Sequence, residues 1–124
     1  MGGMALAWKQ HFTKNMYFPL MGKYNGYPID RCGDIWAGYY SKIMVDAFGF
    51  RVHTGKPYVI HTKASNVWTN LIKEENEDLL GKEFIYTIIN GEEPTIEKEY
   101  FNKLKEAYKV WGRLIDEIDN SSAQ

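Results

Sequence analysis

Apolar residues recur by threes and fours in two long stretches of the chain. From Ile96 to Ile118, Tyr100, Leu104, Ala107, Trp111 and Leu114 keep that step, the mark of an amphipathic helix. Pro94 opens the element. Tyr100, Leu104, Trp111 and Ile115 are expected to point inward. Gly112 lies inside it and costs about 1 kcal/mol relative to Ala. The second stretch runs from Asp34 to Phe48. Trp36, Tyr40, Ile43 and Ala47 fall at helical spacing there, with Ile35, Tyr39 and Met44 widening the stripe. Asp34 suits the N-cap and Gly49 the residue just past the end.

Shorter elements are less sharply drawn. Met4 to Trp8 is an apolar run that fits a buried strand. Gln10 to Phe18 reads as a short helix ended before Pro19. Residues 19–33 hold Pro19, Gly22, Gly26, Pro28 and Gly33, so a turn-rich loop is expected. Phe50 to His53 and Pro57 to Ile60 are strand candidates around Thr54-Gly55-Lys56, as a hairpin or one bent strand. Ser65 or Asn66 caps a helix whose apolar face is Val67, Trp68, Leu71 and Ile72. The charged run 73–78 reads as a solvated helix face. Phe84 to Ile89 is apolar and is assigned to helix. The result is an α+β, helix-rich single domain over 1–124, with four or five helices and two or three short strands. A tail at 120–124 is expected to fray.

Composition narrows the function. Apolar residues make up 44% and aromatics 15% of 124 residues, enough for a packed core. Net charge is −1 with both signs mixed. No global basic field supports nucleic-acid binding. A single cysteine, Cys32, leaves no internal disulfide and no multi-cysteine metal site, and fits a reducing, cytoplasmic compartment. No apolar run reaches the roughly 18–20 residues of a membrane span, and the start lacks the form of a signal peptide.

Candidate chemistry gathers between Tyr27 and Asn66. Arg31 and Asp34 precede the Trp36 helix, and His61 and Lys63 follow an apolar strand. A carboxylate at a helix start is favoured in its ionised form; as plainly, it is a structural cap. Neutral imidazole is a common metal ligand, and Lys is a compact charge suited to phosphate. Arg31 is able to clamp a phosphate or to pair with Asp30 or Asp34. At helical spacing Trp36, Tyr39 and Tyr40 read first as core, with stacking of Tyr39 or Tyr40 on a sugar as the functional alternative. His11 and His53 carry no pattern.

The same segment resembles the reversibly glycosylated polypeptide, or UDP-arabinopyranose mutase, family. The family pattern runs CGMNLAF, then a helix ending in MYF, then YPIGRYDDMWAGW, then TGLPYIWHSKASNPFVNL. Here Gly3 to Trp8, Met16-Tyr17-Phe18, Arg31 to Gly38 and Thr54 to Asn66 match in order, followed by Asn70-Leu71. The likeness covers residues 2–72; residues 73–119 read as a helical C-terminal extension. It implies the C-terminal segment of a glycosyltransferase A-like fold lacking the N-terminal nucleotide-binding half. Carried over residue by residue, it makes Asp34 the catalytic or acceptor-orienting carboxylate. It makes His61 a metal ligand, and Arg31, Lys63 and Trp36 substrate contacts.

Two departures weaken the site. The first acid of the family pair is Gly33 here. The Asp-rich metal motif and the family's glycosylated arginine lie upstream of the matched segment. A divalent metal, Mn or Mg, is thus implied by the resemblance alone, and none is expected to bind the isolated chain tightly. The expected function is the acceptor-side and metal-side segment of a nucleotide-sugar glycosyltransferase or mutase, inactive alone. UDP-sugar is its ligand only when a nucleotide-binding domain completes the site. The alternative is a non-catalytic oligomerisation or protein-interaction module derived from such an enzyme. Unprotected strand edges point to a homo-oligomer or a heteromeric partner, with no nucleic acid and no membrane.

Overall fold

The computed structural model describes residues 6–24, 26–53, 55–56 and 66–122, with backbone alone for Tyr27, Asp30, Arg31, Lys73 and Ser122. Among these, helices dominate and strand is scarce. A 3₁₀ helix spans Gln10–Asn15. A two-stranded antiparallel ribbon follows, β1 at Lys23–Tyr24 and β2 at Tyr27–Pro28, with Lys23 opposite Pro28 and Tyr24 opposite Tyr27. Gly26 turns it at φ 83°, a left-handed angle glycine adopts without steric cost. A second 3₁₀ helix, Ile29–Cys32, runs straight into α1, Gly33–Ala47. Then come α2 at Val67–Lys73, α3 at Glu77–Phe84, a π-helical turn at Ile85–Ile89, and α4 at Lys98–Ser122.

Among the described residues an aromatic-rich cluster forms the centre of the core. Trp36 from α1, Phe84 from α3 and Phe101 and Leu104 from α4 are fully buried together, with Ile29, Cys32 and Leu80 around them. Trp36 stacks on Phe84 at 5.0 Å and 18° and tilts against Phe101 at 6.1 Å. Burying each large apolar side chain contributes about 1.5–3 kcal/mol.

The two strong helices form where expected, and their faces are rotated from the simple stripe. α1 buries Gly33, Trp36, Ala37, Gly38, Ser41 and Val45, whereas Ile35, Tyr39 and Ile43 stay exposed. The small residues on this face leave room for the 10–15 segment. Ser41 Oγ donates to the Asn15 carbonyl at 2.8 Å. Gly49 ends the helix at φ 73°, as the sequence predicts. Asp34, however, is not the cap. The preceding 3₁₀ turn makes Cys32 the residue before the helix, and Asp34 falls inside the first turn.

α4 turns Phe101, Leu104 and Ile115 inward, with Tyr100 and Trp111 half-buried. Leu114 and Ile118 point outward instead, because a straight helix drifts off a strict three-four repeat. Its start shifts from Pro94 to Lys98. Thr95 and Ile96 are tied to Glu83, and Glu97 has φ 40°, which no helix interior accommodates.

Elsewhere the expectations meet corrections. The 19–33 loop contains the β1–β2 ribbon. The 10–18 helix is a shorter 3₁₀ helix. Residues 74–76 interrupt the charged helix face. Leu6 to Trp8 and Phe50 to His53 carry no strand. The remaining strand candidate, Pro57 to Ile60, lies outside the described residues. Asn66 does cap α2, accepting from Trp68 N at 2.9 Å and Thr69 N at 3.4 Å. No described helix is long and apolar enough to cross a membrane.

Candidate functional site

Asp34 stands in the first turn of α1 with its side chain exposed. The helix N-terminus favours a negative charge there. Across the surface lies the start of α3, where the Glu77 carboxyl is raised, by burial first and then by the charges of Glu74 and Asp34. The Asp34 carboxylate therefore belongs to an acidic neighbourhood. On its other side Asp34 borders a narrow cleft with Met16, Phe18, Ala37 and Ser41. That cleft has a volume of about 10 Å³, room for one water at most. A sugar does not fit it.

Trp36 is corrected by its placement. The side chain is 1% exposed and clamped between Phe84 and Phe101, so it has no face open to a substrate. Its indole Nε1 has no hydrogen-bond partner among the described residues. Cys32 is buried beside it in the core. Arg31 is described only in its backbone, within the 3₁₀ turn Ile29–Cys32. His61 and Lys63 lie outside the described residues, so their approach to Asp34 is not part of this geometry.

Among the described residues no three His, Cys, Asp or Glu side chains come together as a ligand set; the metal ligand that the resemblance implies, His61, lies outside them.

A larger cavity, about 740 Å³, opens on the far end of α1. Phe12, Met16, Val45 and Phe50 contribute to its apolar wall, Lys9, Arg51 and Lys56 bring its charge, and His53 adds a polar ring. Sequence reasoning passed over these four. The available signal was the close spacing of Arg51, His53 and Lys56 around a glycine, with no acid between them.

The aligned blocks find their counterpart in known proteins. The model of the reversibly glycosylated polypeptide family matches residues 1–114, and the chain belongs to that family. A probable UDP-arabinopyranose mutase 4 of Arabidopsis thaliana is 38% identical over 96% of this chain and 38% of its own length. A probable UDP-arabinopyranose mutase 1 of Pisum sativum is 34% identical over 100% of this chain and 40% of its own. UDP-arabinopyranose mutase 3 of Arabidopsis thaliana reaches 48% over 61% of this chain and 21% of its own. The chain thus spans about two fifths of the length of the first two relatives. No solved structure matches it.

Proposed function

We propose that residues 1–124 are the acceptor-side and metal-side segment of a nucleotide-sugar mutase or glycosyltransferase of the glycosyltransferase A type. Further polypeptide supplies the nucleotide half. The observation that carries this reading is the family match over residues 1–114, with an exposed carboxylate, Asp34, at the helix start where the family pattern is acidic. In the completed site Asp34 orients a sugar hydroxyl, His61 ligates a divalent metal, and Arg31 and Lys63 meet the diphosphate. The substrate class is a UDP-sugar and the compartment is the cytoplasm. Gly33 leaves one family carboxylate out.

The test is complementation. The chain alone is expected to show no turnover of UDP-arabinose and no tight binding of UDP with Mn²⁺ by calorimetry. Mixed with the nucleotide half of a relative, it is expected to gain UDP binding and turnover, with turnover lost on Asp34→Asn. Turnover by the chain alone, or indifference of the complemented enzyme to Asp34→Asn, overturns the reading.

One observation favours the second reading, an association module. α2 exposes Val67, Trp68, Leu71 and Ile72, all above half. Clustered apolar exposure of this kind marks interaction surfaces. Light scattering that returns a single 14.4 kDa species at micromolar concentration removes self-association through this face.

A further inference from the structure

The cavity beyond α1 combines charge that is unpaired among the described residues with an aromatic wall. Lys9, Arg51, His53 and Lys56 all line it and are all exposed. None has a carboxylate partner among the described residues, and no Asp or Glu is among the described lining. Elsewhere, by contrast, six lysines have a carboxylate partner. Lys14 meets Asp116 at 2.6 Å, Lys82 meets Asp78 at 2.6 Å and Lys103 meets Glu99 at 2.6 Å. Three permanent cations around one hollow repel each other and raise the local concentration of anions.

The second feature is the wall. Phe12 is 7% exposed and meets Phe50 edge to face at 5.0 Å and 88°. His11 leans on both rings, at 4.3 Å and 5.5 Å. Trp8 is 44% exposed, and its indole Nε1 donates to Thr13 Oγ1 at 3.2 Å, which fixes the ring's orientation. Exposed rings held in place are platforms for a flat apolar group. The volume, about 740 Å³, falls within the roughly 300–1,000 Å³ usual for small-molecule sites.

We propose that this cavity binds a small phosphate monoester with a flat aromatic hydrocarbon body. The body lies against Trp8 and Phe50, and the phosphate is held by Arg51 and Lys56, with Lys9 adding charge and the His53 ring a further polar contact. A phosphate monoester is largely dianionic at neutral pH, its second pKa being about 6, and so matches several converging cations better than a carboxylate does. The Arg fork binds two phosphate oxygens at once, while Lys acts as a point charge. Inorganic phosphate alone leaves the apolar wall wet. This inference uses none of Asp34, His61 or a metal, and so stands or falls apart from the reading above.

The experiment is a fluorescence titration of the whole chain with 1-naphthyl phosphate, beside inorganic phosphate and 1-naphthol. The Trp8→Phe variant assigns the signal. The ester is expected to saturate, without metal, at lower concentration than either half. Its affinity is expected to fall about tenfold or more in Arg51→Gln/Lys56→Gln, the scale of a lost charge-assisted contact, and to fall with added salt. All the substituted side chains are exposed, so the variants should keep the wild-type circular dichroism. Lys23→Gln/Lys98→Gln removes the same charge outside the cavity and serves as the control. Retained binding in that control and in Asp34→Asn supports the proposal. Non-saturable binding, naphthol binding as tightly as the ester, or equal weakening in the control overturns it. Binding to phosphatidic-acid vesicles without binding to the soluble ester places the charge against a membrane and also overturns it.

Discussion

Replacing Glu83 with Ala tests how the two halves of the fold are joined. Glu83 sits at the end of α3 and is 5% exposed. Its carboxylate accepts from Thr95 N, from Thr95 Oγ1 at 2.8 Å and from Ile96 N at 3.2 Å. These bonds hold the connection into α4. Removing the acceptor strands two backbone donors, each costing about 1–3 kcal/mol when buried. Thr95 is exposed, so water recovers part of that loss. The expected destabilisation is about 2–3 kcal/mol, a large share of the 5–15 kcal/mol typical of a whole domain. Urea melts should show it as a lower midpoint at an unchanged slope. The protonation of Glu83 supplies an independent check. Burial alone raises its carboxyl, but the three hydrogen bonds outweigh burial and hold it below the usual carboxylate range. A depressed folded-state value contributes stability above the unfolded-state value of about 4.3. That contribution is lost as pH falls through the folded value. The wild type should therefore weaken from about pH 5 downward, and Glu83→Gln should weaken less steeply over the same window. A Glu83→Ala cost below about 0.5 kcal/mol, the level of an indifferent surface change, refutes the reasoning.

Three further outcomes follow from single contacts. Gly22→Ala places a methyl 2.7 Å from the Tyr100 ring, whose hydroxyl is bound to the Leu20 carbonyl at 2.6 Å; a loss of about 1–3 kcal/mol is expected in thermal melts. Tyr108→Phe removes a buried hydroxyl with no described partner, so stability should be unchanged or higher by about 1 kcal/mol. The parent hydroxyl should also resist deprotonation in an ultraviolet alkaline titration, because burial first, then Tyr40, Tyr17 and Tyr100, raise its pKa. Glu97→Asn keeps the turn at φ 40° with a residue that tolerates left-handed backbone, and should raise the thermal midpoint by the equivalent of about 0.5–1 kcal/mol.

The two long helices were legible because periodicity is a local signal. α1 and α4 lie within four residues of their expected bounds. Which face each buries was not local. Ala37 and Ser41, rather than Ile43, face inward because a distant segment needs their small size. The β1–β2 ribbon has only two residues per strand, too few for alternation to register. For the candidate site, motif matching found the family and named Asp34, which is exposed. It mistook Trp36 for a contact because a motif records identity and not burial. The basic cavity was missed because its charges come from Lys9 and from residues 51–56, which only the fold brings together.

α4 also decides when the molecule can fold. Trp111 Nε1 donates to the Thr13 carbonyl at 3.2 Å, Lys14 pairs with Asp116, and Tyr100 reaches Leu20. These partners are separated by 98, 102 and 80 positions in the sequence. Contacts so distant along the chain slow folding, since long loops must close before they form. On the ribosome, residues 13–20 emerge long before the helix that fastens them. Phe12 and the exposed Trp8 then wait in solvent, a period in which a chaperone that binds aromatic segments has its best opportunity to engage.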